Sequence, residues 1–270
     1  MPSPVAPLVQ IGAVGVHAVM APLEAHPRWL VIDDLPVIVN ADGANGQTWV
    51  HSERAAALGL DLAPGQQYAP LAAYHPLDFG PRSKWMPPGR RRSFGLDAPE
   101  NGGRSLDDAW GWYIENGHAV IQGDRDPAPG YLVSTTKLRN HELPESDPRA
   151  YHDSAGAPGW TLPSSDLSKY GIELGDLALI EFGPYRQWAQ ACDWGHHGRL
   201  VELSVWLCNQ LGIPDCARSG GVSSGVKITA IPRSRVHIVD SKGRPRPGTR
   251  EEIAQAGEAA ARAAGLEIGH

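Results

Sequence analysis

"ACDWGHHGRLVELSVWLCNQLGI" (Ala191–Ile213) is the stretch whose reading decides the fold. It holds two acids nine positions apart, Asp193 and Glu202, two adjacent histidines, His196 and His197, and glycines at 195 and 198. Asp193 precedes a tight turn made by Gly195, which Gly198 relaxes further. "RLVEL" reads as a strand whose end carries Glu202. "SVWLCNQLG" reads as a helix, with Ser204 at its N-cap and Gly212 at its C-terminal stop. A hairpin-like return across the glycine turn brings Asp193 and Glu202 near one edge.

Three readings compete for this stretch. Two carboxyls across a cleft suit glycoside hydrolysis, in which one group holds a proton for the leaving oxygen and the other is ionised. Asp193, His196 and His197 are the rival metal set. Adjacent histidines point in different directions on most backbones, and no HExxH or two-His-one-carboxylate spacing accompanies them. The third reading is a turn whose acids are simply solvated. The expectation is that no metal and no other cofactor is needed.

The flanking chain is built of short strands. "WLVIDDLPVIV" (29–39) reads as two strands around a turn at Asp33-Asp34, and "NADGANG" (40–46) as a turn cluster. "SERAAALGL" (52–60) suits a short helix capped by Ser52. Residues 63–104 are rich in Pro, Gly and Arg and read as an insertion; the basic triplet in "GRRRS" (89–93) suits a solvated face. "GWYIENGHAVIQG" (111–123) reads as a hairpin turning at Glu115-Asn116-Gly117. "GYLVSTTKL", "GDLALIEFG" and "SGVKITAIP" read as further strands. "DSKGRPRPGT" (240–249) reads as a linker to an amphipathic helix, with a Thr249/Glu252 capping box and Gly265 as its stop. That helix could pack on the body, on a second copy or on another partner. The domain reading is an N-terminal extension (1–28), a barrel-type domain (29–239), then linker and helix (240–270).

Composition agrees with a β-rich, turn-rich body. The 270 residues include 31 Gly and 24 Pro, with 41% hydrophobic and 20% charged residues. A net charge of −6 argues against nucleic acid as a partner and is compatible with a cationic polymer. No run reaches the roughly 18 apolar residues of a membrane span. The first residues lack a basic n-region and do not read as a secretory signal. Nine Trp against three Phe is an unusual balance. An indole face packs well on sugar C–H groups, although core packing is the commoner role of any single Trp. Cys192, Cys208 and Cys216 show no CxxC spacing; Cys208–Cys216 is a candidate disulfide.

The residues carry a resemblance. "CDWGHHGRLVELSVWLCNQLGI" resembles the segment of glycoside hydrolase family 75 chitosanases in which an Asp and a glycine turn lead, nine residues on, to a Glu, a Ser and a helix ending in Leu-Gly-Ile. "NADGA", "AYHPLD", "PGYLVSTTKL", "YHDSAGAPGWTLP" and "GDLALIEFG" resemble further blocks of that family, in the same order, over roughly residues 30–235. The chain departs from the pattern at Val201 and Leu203, where the family has Gly on both sides of the Glu, at His196 and at Asn40. The same stretch is similar to segments of double-psi β-barrels, among them rare-lipoprotein-A barrels and lytic transglycosylases.

The resemblance implies a mainly β fold with a six-stranded double-psi β-barrel core, long loops and a few short helices. It implies an endo-acting hydrolase of a chitosan-like polysaccharide, with an extracellular substrate. The alternatives are a lytic transglycosylase or muramidase on peptidoglycan, a non-catalytic carbohydrate-binding barrel, and a structural component with a repurposed barrel. Asp193 and Glu202 become the catalytic pair; the alternative is that Asp193 braces the turn while Asp42 is the base. Glu202, flanked by Val201 and Leu203, is expected to be the general acid, and Asp193, on a polar turn, the base. Such a pair predicts inversion, with carboxyls roughly 6.5–9.5 Å apart. Asp42, Ser134, Thr135, Asp153, His196 and His197 are the expected substrate-binding groups.

Overall fold

A computed structural model of the chain describes residues 7–11, 14–20, 27–45, 48–51, 68–71, 73–74, 111–162, 171–195, 201–215, 217 and 220–268. The strands in chain order are β1 (Pro7–Ile11), β2 (Val14–Met20), β3 (Pro27–Asn40), β4 (Thr48–His51), β5 (Tyr68–Leu71), β6 (Ile114–Glu115), β7 (His118–Ala119), β8 (Gly159–Leu162), β9 (Leu177–Phe182), β10 (Tyr185–Trp194), β11 (Val201–Ser204) and β12 (Val222–Ile231). The two α-helices among the described residues are α1 (Val205–Leu211) and α2 (Arg250–Ala264).

Six strands close a barrel in the order β3-β11-β8-β10-β9-β12, with β12 pairing back onto β3. The β3–β11 and β8–β10 pairs are parallel and the others antiparallel. Parallel neighbours cannot be joined by a hairpin, so the chain must cross over the barrel between them. This mixed, closed, mainly β architecture with few short helices is the one expected from the sequence. β1 and β2 extend the sheet outward from β3.

Alternation along each strand divides the wall into two faces. Val37 and Val39, Val201 and Leu203, Trp160, Ala189 and Ala191, Ala178 and Ile180, and Val226, Ile228 and Ala230 fill the interior. Residues of opposite phase, Leu177, Leu179, Trp188 and Ile231, lie outside and are covered by Ile253, Ala256, Ala260 and Ala261 of α2. Close approach explains Gly257: a Cβ there would enter the Trp188 ring. The Trp188 indole N–H donates to Glu258 at 3.0 Å. The capping box of Thr249 and Glu252 and a left-handed Gly265 bound α2 as read. Its apolar face is occupied by the barrel's own wall. The stretch read as a linker before it is a tight turn, in which the Asp240 carboxylate accepts the Lys242 and Arg244 backbone N–H groups and the Arg244 Nε–H.

Two local readings differ from the structure. The segment 29–39 is one strand, not two. Asp34 takes φ 55 as a kink within β3, and its carboxylate accepts the Gly225 N–H at 2.9 Å. Register shifts in β12 absorb the kink, so sheet pairing on both sides overrides the turn propensity of Asp-Asp. "GYLVSTTKL" forms isolated bridges instead of a strand. Its N–H groups go in turn to Tyr74, Val120, Gly111 and Cys192 carbonyls, so no one neighbour runs alongside it. The hairpin at β6–β7 forms as expected, with left-handed Asn116 and Gly117. The helix read at 52–60 and most of the 63–104 insertion lie outside the described residues.

Candidate active site

Asp193 and Glu202 reach one region from two different strands. Asp193 is the penultimate residue of β10 and pairs with Thr161 of β8; a bulge at Cys192 sets that register. Glu202 lies on β11 opposite Ile38 of β3. On its other side its N–H donates to the Thr161 hydroxyl at 3.1 Å. β8 therefore stands between the two acids, and they are not hairpin partners across the glycine turn. Val201, Leu203, Trp160 and Ala191 point into the barrel. Glu202, Thr161 and Asp193, in the opposite phase, share the outer face of the wall.

That face is covered by the loop of residues 134–158. Lys137 N–H donates to Asp193 Oδ1 at 3.3 Å, and Trp194 N–H donates to the same oxygen at 2.8 Å. Leu138 N–H donates to the Cys192 carbonyl. Asp193 is consequently buried, with 8% of its surface exposed. Burial pushes its carboxyl up to about 6; the two N–H donors and the Lys137 ammonium pull downward, while the Glu202 carboxylate adds to the rise. This environment differs from the polar turn expected for Asp193.

Glu202 is only partly buried. The Asn40 amide donates to its Oε2 at 3.0 Å. Asn40 sits at the end of β3, opposite Ser204 in the parallel register, and is itself held by the Ser154 hydroxyl, which donates to Asn40 Oδ1 at 3.2 Å. The same hydroxyl also meets the Asp42 carbonyl. Just past this strand end, Asp42 accepts a hydrogen bond from the buried Tyr74 hydroxyl at 3.1 Å. Tyr74 is fixed edge-on against Trp112, with centroids 5.2 Å apart.

Cys192 ties these acids together. Its thiol is raised well above the ordinary value, first by burial and then by the charges of Asp193, Asp42 and Glu202. Three carboxylates therefore lie within electrostatic reach of one buried sulfur. The thiol stays protonated and is no nucleophile. The neighbouring His152 is fully buried and held neutral, its pKa pushed down to about 4 by burial, so it is a poor proton carrier near neutral pH.

The remaining expected site residues divide. Ser134 is buried, accepting from Gly43 N–H at 2.8 Å and donating to the Gly111 carbonyl at 3.2 Å. Asp153 accepts the Asn45 and Ala155 N–H groups, and burial pushes it up to about 6. Both brace the turn that carries Asp42. Thr135 is half-buried, with its backbone bonded to Gly111. His196, His197 and Cys216 lie outside the described residues. Cys208 is buried and its Sγ lies 3.7 Å from the Leu203 carbonyl, to which it donates; the candidate Cys208–Cys216 disulfide involves a residue outside the described ones. Gly43 must be glycine: it has φ 80, and a Cβ there would meet the His152 carbonyl and Thr136.

Sequence reasoning did not assign roles to Asn40, Tyr74 and Thr161, although all three fall in quoted blocks. An Asn at a strand end beside Asp-Gly, and a Thr three residues after the Ala-Pro of "GAPGWTLP", were the signals available. Among the described residues, no three His, Cys, Asp or Glu side chains are arranged to hold a metal ion. No described helix is long and apolar enough to cross a membrane. No protein-family model matches the chain, and no curated protein matches it.

Proposed function

We propose that the barrel is an endo-acting glycoside hydrolase that cleaves β-1,4 linkages in an amino-sugar polymer of the chitosan type by an inverting, two-carboxylate mechanism. The observation that carries this reading is the pairing of unlike acids on one face: a buried Asp193 near pKa 6 and a half-buried Glu202 bonded to an amide donor. At mildly acidic pH the buried group keeps its proton. Asp193 holds its proton because burial outweighs its two N–H donors, whereas Glu202 is only partly buried and its carboxylate accepts the Asn40 amide. The roles are therefore the reverse of those expected from the flanking residues. Asp193 protonates the leaving oxygen as general acid, and Glu202, oriented by Asn40, activates water as base.

Strand spacing supports inversion. The two acids are on strands separated by β8, so their backbones are about 9–10 Å apart at roughly 4.8 Å per strand. Such a spacing admits the carboxyl separation of roughly 6.5–9.5 Å that an inverting pair needs to hold a water molecule. A third acid, Asp42, adds negative charge, which suits a cationic glucosamine chain.

The test is product analysis. The protein is incubated with chitosan and, separately, with peptidoglycan, and the soluble products are identified by mass spectrometry. Hydrolysed glucosamine oligomers are expected from chitosan. Anhydro-sugars from peptidoglycan would establish the transglycosylase alternative, for which a single proton-holding acid suffices. Release of no oligosaccharide from either polymer would overturn the hydrolase reading.

A further inference from the structure

We propose that the Trp194 indole is a stacking platform for a pyranose ring of the substrate, in the subsite next to the scissile bond. This rests on reading the site as one that handles sugar chains. Trp112, Trp160 and Trp188 are buried, and Trp29 and Trp206 are partly buried; Trp194, in contrast, has 46% of its surface exposed. One exposed ring is ordinary on a protein surface; what singles out Trp194 is that it adjoins Asp193. Its placement is not loose. Trp194 is the last residue of β10, pairs with Leu162, and donates its backbone N–H to Asp193 Oδ1 at 2.8 Å. The bond that fixes the acid also fixes the base of the indole.

Consecutive strand residues point to opposite faces. The Asp193 carboxyl and the Trp194 ring therefore lie on either side of the barrel rim where β10 ends. A polymer crossing that rim presents its scissile oxygen to Asp193 and a neighbouring sugar to Trp194. Pyranose rings offer an apolar C–H face that an indole covers well, and the ring does so with little loss of side-chain freedom. The ring then sets how the chain is held, and Asp193 and Glu202 do the chemistry.

The experiment has a binding arm and a kinetic arm. In the binding arm, Asp193→Asn and the double variant Asp193→Asn/Trp194→Ala are titrated with short glucosamine oligomers while tryptophan fluorescence is followed. A saturable change is expected in the first protein and is expected to be lost in the second. In the kinetic arm, Trp194→Ala is expected to raise KM on chitosan about tenfold with kcat nearly unchanged, and Trp194→Phe is expected to recover most of the difference. An unchanged KM with an unchanged fluorescence response would overturn the platform while leaving the hydrolase reading intact. A wild type that binds the oligomers through Trp194 without cleaving them would overturn the hydrolase reading and keep the platform.

Discussion

Replacing Asp193 with Asn is expected to stabilise the protein in a pH-dependent way. The substitution keeps the shape of the side chain and the Oδ1 acceptor for the Trp194 and Lys137 N–H groups, but it removes the charge. Asp193 binds its proton more tightly when folded, because burial raises its pKa from 3.8 to about 6. Its ionisation therefore opposes folding. The penalty is absent below about pH 4, grows between about pH 4 and 6, and is complete above about 6. At about 1.4 kcal/mol per pH unit, the full penalty at pH 8 is about 3 kcal/mol. The new amide must find a partner for its NH₂, which offsets about 1 kcal/mol. The net gain at pH 8 is then about 2 kcal/mol, or about 4–8 °C in Tm for a chain of this size. At pH 4 the variant is expected to be slightly less stable than the wild type. Urea unfolding of both proteins at pH 4, 6 and 8 reads this directly. The contributions of Asp153 and Asp176, also raised to about 6, are common to both proteins and cancel in the difference. A stability difference that does not change with pH would refute the burial argument and the assignment of Asp193 as proton holder.

Other perturbations probe the scaffold and the site. Asn40→Ala removes the donor to Glu202 and is expected to lower kcat about tenfold in steady-state kinetics; because Asn40 is buried and also accepts from Ser154, a loss of about 1–3 kcal/mol in denaturant unfolding is expected with it. Gly43→Ala forces a Cβ against the His152 carbonyl at positive φ and is expected to cost about 2–4 kcal/mol in denaturant unfolding. Asp176→Ala strands the Glu173 and Arg235 N–H groups that its buried carboxylate accepts, for an expected loss of about 2–4 kcal/mol by the same measurement. The pH profile of kcat/KM is expected to fall about tenfold per pH unit above about 6, where Asp193 loses its proton; a flat profile to pH 8 would contradict its role as acid.

The parts of this fold that follow local rules were legible in the sequence. Ser204 and Gly212 bound α1, and Thr249, Glu252 and Gly265 bound α2, because caps satisfy orphan groups within a few residues of themselves. The β6–β7 hairpin follows from Asn-Gly in the same way. What local rules do not contain is which strand lies beside which. Asp193 and Glu202 suggested a hairpin because nine residues with a glycine turn between them read as one. The insertion of β8 between β10 and β11 depends on a segment that lies some 30 residues before the turn and is invisible from the turn itself. The burial of Asp193 has the same origin, since its cover, Lys137 and Leu138, comes from more than 50 residues upstream. The acid and base roles proposed above reverse those read from nearest neighbours for that reason. Val201 and Leu203 flank Glu202 in sequence, but their side chains point to the barrel interior and leave Glu202 on the other face.

The central claim is that Asp193 and Glu202 together cleave a glycosidic bond. It is tested most directly by the rate of reducing-end release from chitosan at pH 5 by wild type, Asp193→Asn and Glu202→Gln, each confirmed folded by circular dichroism. The wild type is expected to release oligomers, and each variant to lose at least about 100-fold in kcat/KM. Full activity in either variant would contradict the claim.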